Sequence, residues 1–299
     1  MSWLDEPLGP GLKRSWRLEE IMWEGDTGFQ HMVIARTAHG VTLFCDGERQ
    51  SSELSQLIYH EALLIPPLLL AERVERVLVI GSSEGVVSQL AVAAGASTVD
   101  HVDLDRECVR VCANLLPYGY TPDELAAAER GDGAVRVHYA DGWEFVKAAA
   151  DSASGYDIVV VDLPDERGDD PDAQHNRLYA EQFLRRCAAA VRDGGVVVSQ
   201  AGCPTLWRNA GLRRMWQRFH AVFGTVFYFG SDEHEWAFLS GRADRLAEPV
   251  AAMAERLRRL PYRPSTLDAA GLRAAAIAPH AVRAGCDIRP EGPGPAAGA

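Results

Sequence analysis

The residues best placed to do chemistry in this chain are acids that close short apolar runs. Residues 77–85 read VLVIGSSEG, an apolar strand entering a turn bounded by Gly81 and Gly85 and then a helix. Small residues in such a turn let the backbone pass close to a ligand, and the helix start presents free amides. Ser83 stands where a dinucleotide fingerprint has its second glycine, so the glycine pattern alone is weak. The next strand end strengthens it: Asp103, eighteen residues beyond Gly85, is placed to accept both hydroxyls of a ribose. Asp141, in ADGWEF, follows a third strand, where it could bond an adenine amino group, and Asp162 ends a fourth, YDIVVVD, with Asp165 close behind. Acids that merely cap helices or solvate turns are the plainer account, but their recurrence at one edge of a sheet favours a nucleoside site.

Glu84, the turn's own acid, narrows the nucleoside. A carboxylate there repels a pyrophosphate and attracts an amine or a sulfonium, which favours S-adenosylmethionine and its relatives over NAD. Capping of the following helix is its alternative role. Displacement at a carbon on a sulfonium needs little beyond an unprotonated nucleophile held in line, because the leaving group is already cationic. Asp162 is the candidate to orient that nucleophile or take its proton. The bland account of Asp162 and Asp165 is a loop whose carboxylates cap the next segment.

The elements that must position these acids alternate. HMVIART (31–37) and VTLFC (41–45), joined through Gly40 and followed by a turn at Asp46-Gly47, predict a small antiparallel β domain over residues 1–62. Helical periodicity over 56–70 carries Tyr59, His60 and Glu61 up to a break at Pro66-Pro67. Strands are expected over 74–80, 97–104, 135–139, 156–162 and 195–200, with helices over 86–94, 106–116 and 178–191. A closing hairpin is expected over 225–230 and 236–240. Together these predict an α/β fold, a Rossmann-like doubly wound sheet binding an S-adenosylmethionine-type ligand, in a domain spanning 63–245. Residues 246–289 read as an extension of Ala- and Arg-rich surface helices, and 290–299 (PEGPGPAAGA) as a disordered tail.

Composition bounds the function. In 299 residues, 47% hydrophobic and 24% charged, 42 acids face 30 Lys and Arg for a formal charge of −12, which speaks against nucleic acid or anionic lipid and for a small cationic or neutral partner. Neither a membrane-spanning run nor a secretory leader is evident, so a cytoplasmic location is expected. The six cysteines form no CxxC pair, and Cys108 and Cys112 lie within an apolar helical pattern, so buried thiols are expected rather than metal ligands, and no metal is implied.

In order and spacing, CDGERQSSE, YHEAL, GSSEG, HVDLD, ADGWEF, YDIVVVDLPD and VVSQAG resemble the spermidine synthase family of polyamine aminopropyltransferases, from about Trp23 to Gly241. The resemblance implies a β-stranded N-terminal domain on a Rossmann-like domain, usually dimeric, that uses decarboxylated S-adenosylmethionine and releases methylthioadenosine. By position it implies Gln50 and Asp103 on the ribose side of the donor, Asp141 and Gly142 at adenine, and Gly81 through Gly85 as the donor turn. Glu84 faces the transferred chain's amine, in place of the family's usual Asp. Asp162 is the implied catalytic acid, Asp165 the second acid of its loop, and Tyr59 the tyrosine lining the reaction centre. His60 lies beside it as catalyst or supporting hydrogen-bond partner, and Tyr228 is matched to a second such tyrosine on the substrate side.

Departures fall on one part of the site. The family's turn has three glycines before its Asp, where this chain has Gly81-Ser82-Ser83-Glu84; its loop runs from the catalytic Asp through Thr or Ser and Asp-Pro, where this chain has Asp162-Leu163-Pro164-Asp165. A changed tail or acceptor would produce such changes. The favoured expectation is therefore transfer of a 3-amino-3-carboxypropyl group from intact S-adenosylmethionine to a small acceptor, as in antibiotic-forming enzymes of the isonocardicin synthase type, which alkylate a phenolic hydroxyl. On that reading Ser82 and Ser83 bond the α-carboxylate while Glu84 pairs the α-ammonium. The alternative is polyamine aminopropyl transfer, with the acids of DLPDERGDDPD attracting a polycation. A methyltransferase is disfavoured by the hairpin domain and the YHE helix, and a non-catalytic module by the joint presence of Asp103, Asp141 and Asp162.

Overall fold

The computed structural model of the protein describes residues 2–9, 11–152, 155–168 and 170–285. The expected tail over 290–299 lies outside the described residues. A hairpin of β1 (Ser2–Gly9) and β2 (Leu12–Leu18) precedes a four-stranded antiparallel sheet of β3 (Glu20–Asp26), β4 (His31–Thr37), β5 (Gly40–Cys45) and β6 (Glu48–Ser52), in sequential order. The runs expected at 31–37 and 41–45 are the two central strands; β1 and β3 were hard to read because most of their residues stay exposed and give no apolar alternation.

Helix α1 (Gln56–Leu70) links the two parts and runs through Pro66 and Pro67 instead of breaking there. Each proline deletes one helical hydrogen bond, but Leu68, Leu69 and Leu70 beyond them are buried, and that burial holds the last turn in place.

The remaining chain builds the expected α/β sheet. In order it runs β7 (Arg76–Gly81), α2 (Val86–Ala93), β8 (Thr98–Asp103), α3 (Arg106–Leu115), α4 (Pro122–Arg130), β9 (Val135–Tyr139), α5 (Gly142–Ala150) and β10 (Tyr156–Asp162). A 3-10 turn (Gln174–Tyr179), α6 (Glu181–Ala190), β11 (Val191–Gln200), α7 (Ala210–Val222), β12 (Thr225–Gly230) and β13 (Ala237–Arg242) complete it. The helix expected over 178–191 starts later because the 3-10 turn takes Leu178 and Tyr179, and β11 begins at Val191 without a loop.

Spatial order is β12-β13-β11-β10-β7-β8-β9, parallel from β11 to β9 with β13 and β12 antiparallel at one edge. Strands buried on both faces need apolar residues at every position. Thus Val77 and Val79 join one core with α1 and α2, while Leu78 and Ile80 join another with α6 and α7. The chain leaves β7 outward through β8 and β9 and returns to the other side of β7 as β10, so the crevice for a ligand falls at this reversal, beyond the strand C-termini. Register there sets Asp162 opposite Gly81, and Asp103 opposite Tyr139.

The C-terminal extension differs from expectation. Helices α8 (Pro249–Leu257), α9 (Ala269–Ala274) and α10 (His280–Arg283) are short, and they are not surface decoration: Met253, Leu257, Leu260, Leu272 and Val282 are buried. Strand β13 runs two residues beyond the 236–240 expected for it and ends at Arg242. No helix among the described residues is long and apolar enough to cross a membrane.

Candidate active site

The donor turn requires its outer glycines. Gly81 sits at φ +79°, and a Cβ there would lie 2.1 Å from the Asp162 carbonyl oxygen, so β7 and β10 could not stay in register. Ser82 N donates to that same carbonyl at 3.0 Å. Gly85, at φ +81°, starts α2, and a Cβ on it would strike the Tyr120 ring at 2.3 Å. Beneath the turn, buried His101 donates from Nε2 to the Gly81 carbonyl at 2.8 Å and accepts from the Tyr120 hydroxyl at Nδ1, 3.0 Å. Burial pushes His101 down to about 4, so it stays neutral and both bonds persist.

At the nucleoside end, Asp103 accepts from Ser83 Oγ at 2.7 Å and from Asp105 N at 2.8 Å. Burial, then the neighbouring Cys108, pushes its carboxyl up to about 7 despite both bonds. Ser83, expected to bond a donor carboxylate, is thus committed to Asp103, the acid expected to hold a ribose. Asp141 caps α5 through Trp143 N at 2.8 Å and also pairs with Arg177, so capping and a place on the cavity wall coincide in one residue. Gly142 follows it, and a Cβ there would meet Ile80 at 2.7 Å. Gln50 borders the same cavity from β6. Cys108 and Cys112 are buried on α3 and pack with Cys45 of β5, as expected for structural thiols.

The reaction centre lies between α1, the turn and β10. Tyr59 donates to Asp162 Oδ1 at 2.5 Å. Burial raises the Asp162 carboxyl, with His60 and the Tyr59 hydroxyl opposing it and Glu84 adding to it. Glu84 is likewise raised by burial, with Ser51 opposing. It does not cap α2, whose N-cap is Gly85. His60 donates from Nδ1 to Gln56 O at 2.6 Å and sets Nε2 4.0 Å from Glu84, behind the cavity wall rather than on it. Burial lowers His60, so the imidazole is neutral, and with the Nδ1 proton given to Gln56 its Nε2 turns a lone pair toward Glu84.

Trp236, which the motifs did not flag, packs edge-on against Tyr59 at 4.9 Å and receives the Arg49 guanidinium at 4.5 Å. Tyr228 is not part of the site: its side chain is buried on β12 within the core shared by α6 and α7, and its hydroxyl is raised to about 12 by that burial.

Beyond Asp162, the loop turns over β11. Asp165 accepts from Gln200 Nε2 and pairs with Arg208 Nη2 at 3.3 Å. Tyr179 supports the loop, its hydroxyl lying 2.8 Å from Pro164 O and 3.1 Å from Gln200 Oε1. Gln200 stands in the VVSQAG motif, whereas Arg208, Arg177 and Tyr179 come from segments whose sequence gave no sign of a site. The whole arrangement encloses a cavity of about 960 Å³. Among the described residues no group of three or more His, Cys, Asp or Glu is arranged to hold a metal ion.

Helix α1, which carries Tyr59, is held in its middle and at its C-terminal end by the C-terminal extension. Fully buried Glu61 accepts from Tyr262 Oη (2.6 Å), Ser265 N (2.8 Å), Thr266 N (2.7 Å) and Thr266 Oγ1 (2.6 Å). Arg256 donates to the carbonyls of Leu69 and Ala71 at 3.0 and 2.6 Å, and Arg242 of β13 to that of Leu70 at 2.7 Å, so two arginines satisfy the helix end.

A family model of the spermine/spermidine synthase domain matches residues 56–229. A polyamine aminopropyltransferase 1 of Hyperthermus butylicus is 31% identical over 225 residues, 74% of this chain and 70% of its own. A polyamine aminopropyltransferase of Pseudomonas syringae pv. tomato is 29% identical over 238 residues, 75% and 78% of the two chains. A crystal structure of spermidine synthase in complex with the transition-state analogue AdoDATO superposes with a TM-score of 0.80 at 18% identity over 95% of this chain and 94% of that one. The spermidine synthase of Thermotoga maritima superposes at 0.78, with 17% identity over 95% and 93%. The fold, the order of the strand-end acids and these matches lead to one conclusion: the chain belongs to the spermine/spermidine synthase family, enzymes that transfer alkyl groups other than methyl.

Proposed function

We propose that this enzyme moves a 3-aminopropyl group from decarboxylated S-adenosylmethionine to the amine of a small acceptor, releasing methylthioadenosine. The observation that carries the reading is the charge of the chamber meant for the transferred chain. Glu84 and Asp162 line it, Asp162 bonded by Tyr59 and Glu84 4.0 Å from His60, and among the described residues no lysine or arginine forms an ion pair with either. A tail ending in an ammonium satisfies two buried carboxylates. A tail that also bears an α-carboxylate would bring a third negative charge into a buried site with no cation, which is strongly unfavourable.

This corrects the carboxypropyl expectation. Of the serines invoked for it, Ser83 serves Asp103, and the Ser82 amide is on the Asp162 carbonyl, which leaves the buried Ser82 hydroxyl as the one serine donor for a carboxylate. The polyamine aminopropyltransferases among the relatives also support the aminopropyl alternative over it, and nothing in the site supports an antibiotic-forming role.

In the step proposed, the acceptor nitrogen attacks the propyl carbon bonded to sulfur. The new C–N bond forms as the C–S bond breaks, its electron pair passing to the sulfonium, which leaves as a neutral thioether. Asp162 accepts the proton shed by the acceptor nitrogen, and its raised carboxyl makes it a better base than an ordinary aspartate. Tyr59 fixes the carboxylate's orientation. Two expectations travel with this reading: a homodimer, from the family resemblance and to be checked by sedimentation, and a cytoplasmic location, from the sequence alone. Calorimetric titration with both donors tests the chamber: the decarboxylated form should bind at least about tenfold tighter, and equal or reversed affinities would count against the reading.

A further inference from the structure

The donor residues sit at the C-termini of β7, β8 and β9, where Glu84, Asp103 and Asp141 follow the strands. The other half of the cavity, over β10 and β11, is left for the acceptor, and arginines meet its acids. Asp165 is held by Arg208 at 3.3 Å and by Gln200. Glu166 is held by Arg214 at 2.8 Å and by Arg218 at 2.9 Å. Glu48 lines the same cavity, where burial and then Asp165 raise its carboxyl against the opposing charges of Arg208 and Arg167.

A guanidinium does not give up its proton at any working pH. With one amine of the acceptor at Asp162, the next acid of the loop on the cavity wall is Asp165, and a second ammonium is assigned to it. Arg208 already stands there. A diamine would have to displace it or tolerate it, whereas an acceptor with no second cation meets a balanced wall. Asp170, farther along the same loop, also borders the cavity, within reach of a longer polycation.

We infer that the acceptor of this site is a primary amine whose remote end carries no positive charge, and that Arg208 enforces the choice by occupying the place of a second ammonium. The inference deepens the proposed aminopropyl transfer and rests on it. It departs from the polycation that the acids of this loop were expected to attract.

The test compares four-carbon amines that differ at the remote end: butylamine, 4-aminobutanoate and putrescine, with spermidine as the longer polycation. Methylthioadenosine release from decarboxylated S-adenosylmethionine is followed in the wild type and in Arg208→Gln, Arg208→Ala and Arg208→Lys. The ratio of kcat/KM for putrescine to that for butylamine should lie below about ten in the wild type. It should rise at least tenfold in the Gln and Ala variants and stay near the wild-type value in Lys, which keeps the charge. A wild-type preference above tenfold for putrescine or spermidine, or a ratio unmoved in the Gln and Ala variants, overturns the inference. Dissociation constants of the same amines for the enzyme saturated with methylthioadenosine must show the same ranking. That arm decides the inference even where no acceptor yields product, an outcome that would count instead against the aminopropyl reading.

Discussion

Asp103 accepts two hydrogen bonds and still has its carboxyl pushed up to about 7, because it is buried with no cation beside it. Its folded value lies above the ordinary 3.8, so the folded state binds the extra proton and stability falls as pH rises from about 4 to about 7. Asp103→Asn removes that penalty: without ligand at pH 8 it should stabilise the fold by about 2 kcal/mol, a few degrees in Tm, with the gain vanishing towards pH 4. The same variant should bind the nucleoside about tenfold to a hundredfold more weakly, having lost a charged acceptor for the ribose. Melting curves across pH check the first effect and titration with methylthioadenosine the second. Tyr59 supplies the other residue-level prediction. Its hydroxyl bond favours ionised Asp162, so Tyr59→Phe should move the acidic limb of the kcat/KM profile to higher pH and lower turnover at pH 7 about tenfold. A profile with an unshifted limb would show that Asp162 is not the titrating base.

At the scale of elements, the precision of the site depends on how α1 is held. Glu61 ties the middle of that helix to the segment around Tyr262 and Thr266, and it lies two residues from Tyr59. Glu61→Ala removes a buried acceptor from four part-buried hydrogen bonds, so it should destabilise the fold by about 2 kcal/mol. It should also lower kcat more than it raises KM for the donor, because Asp103 and Asp141 stand on other elements. Paired denaturation and steady-state measurements separate the two effects. The contrast with the sequence is instructive here. Strands such as YDIVVVD were legible because burial on both faces leaves an uninterrupted apolar run, and the acids that end them were legible with them. The clamp was not, since Glu61 and Thr266 are 205 residues apart and neither stands in a pattern that points to the other. Tyr228 was misplaced for a related reason: alternation along β12 turns it into the core, and one residue of register decides which face a strand residue takes.

For the molecule as a whole, the formal charge of −12 pointed to a cationic or neutral small partner, and the fold divides that charge into unlike parts. Glu84 and Asp162, which the proposal sets against the transferred chain, pair with no arginine among the described residues, while Asp165 and Asp141 each pair with one and Glu166 with two. Sequence counts the acids correctly but cannot pair them, because Arg177 and Arg208 lie 36 and 43 residues from the carboxylates they meet. The central claim is that the uncompensated chamber selects a donor tail ending in an ammonium alone. It is tested most directly by incubating the enzyme with decarboxylated or intact S-adenosylmethionine and a panel of small amines, and measuring methylthioadenosine, with Asp162→Asn in parallel. The account predicts methylthioadenosine from the decarboxylated donor, and a drop of about a hundredfold or more in Asp162→Asn with donor binding retained. Methylthioadenosine from the intact donor only, or release of S-adenosylhomocysteine, would contradict it.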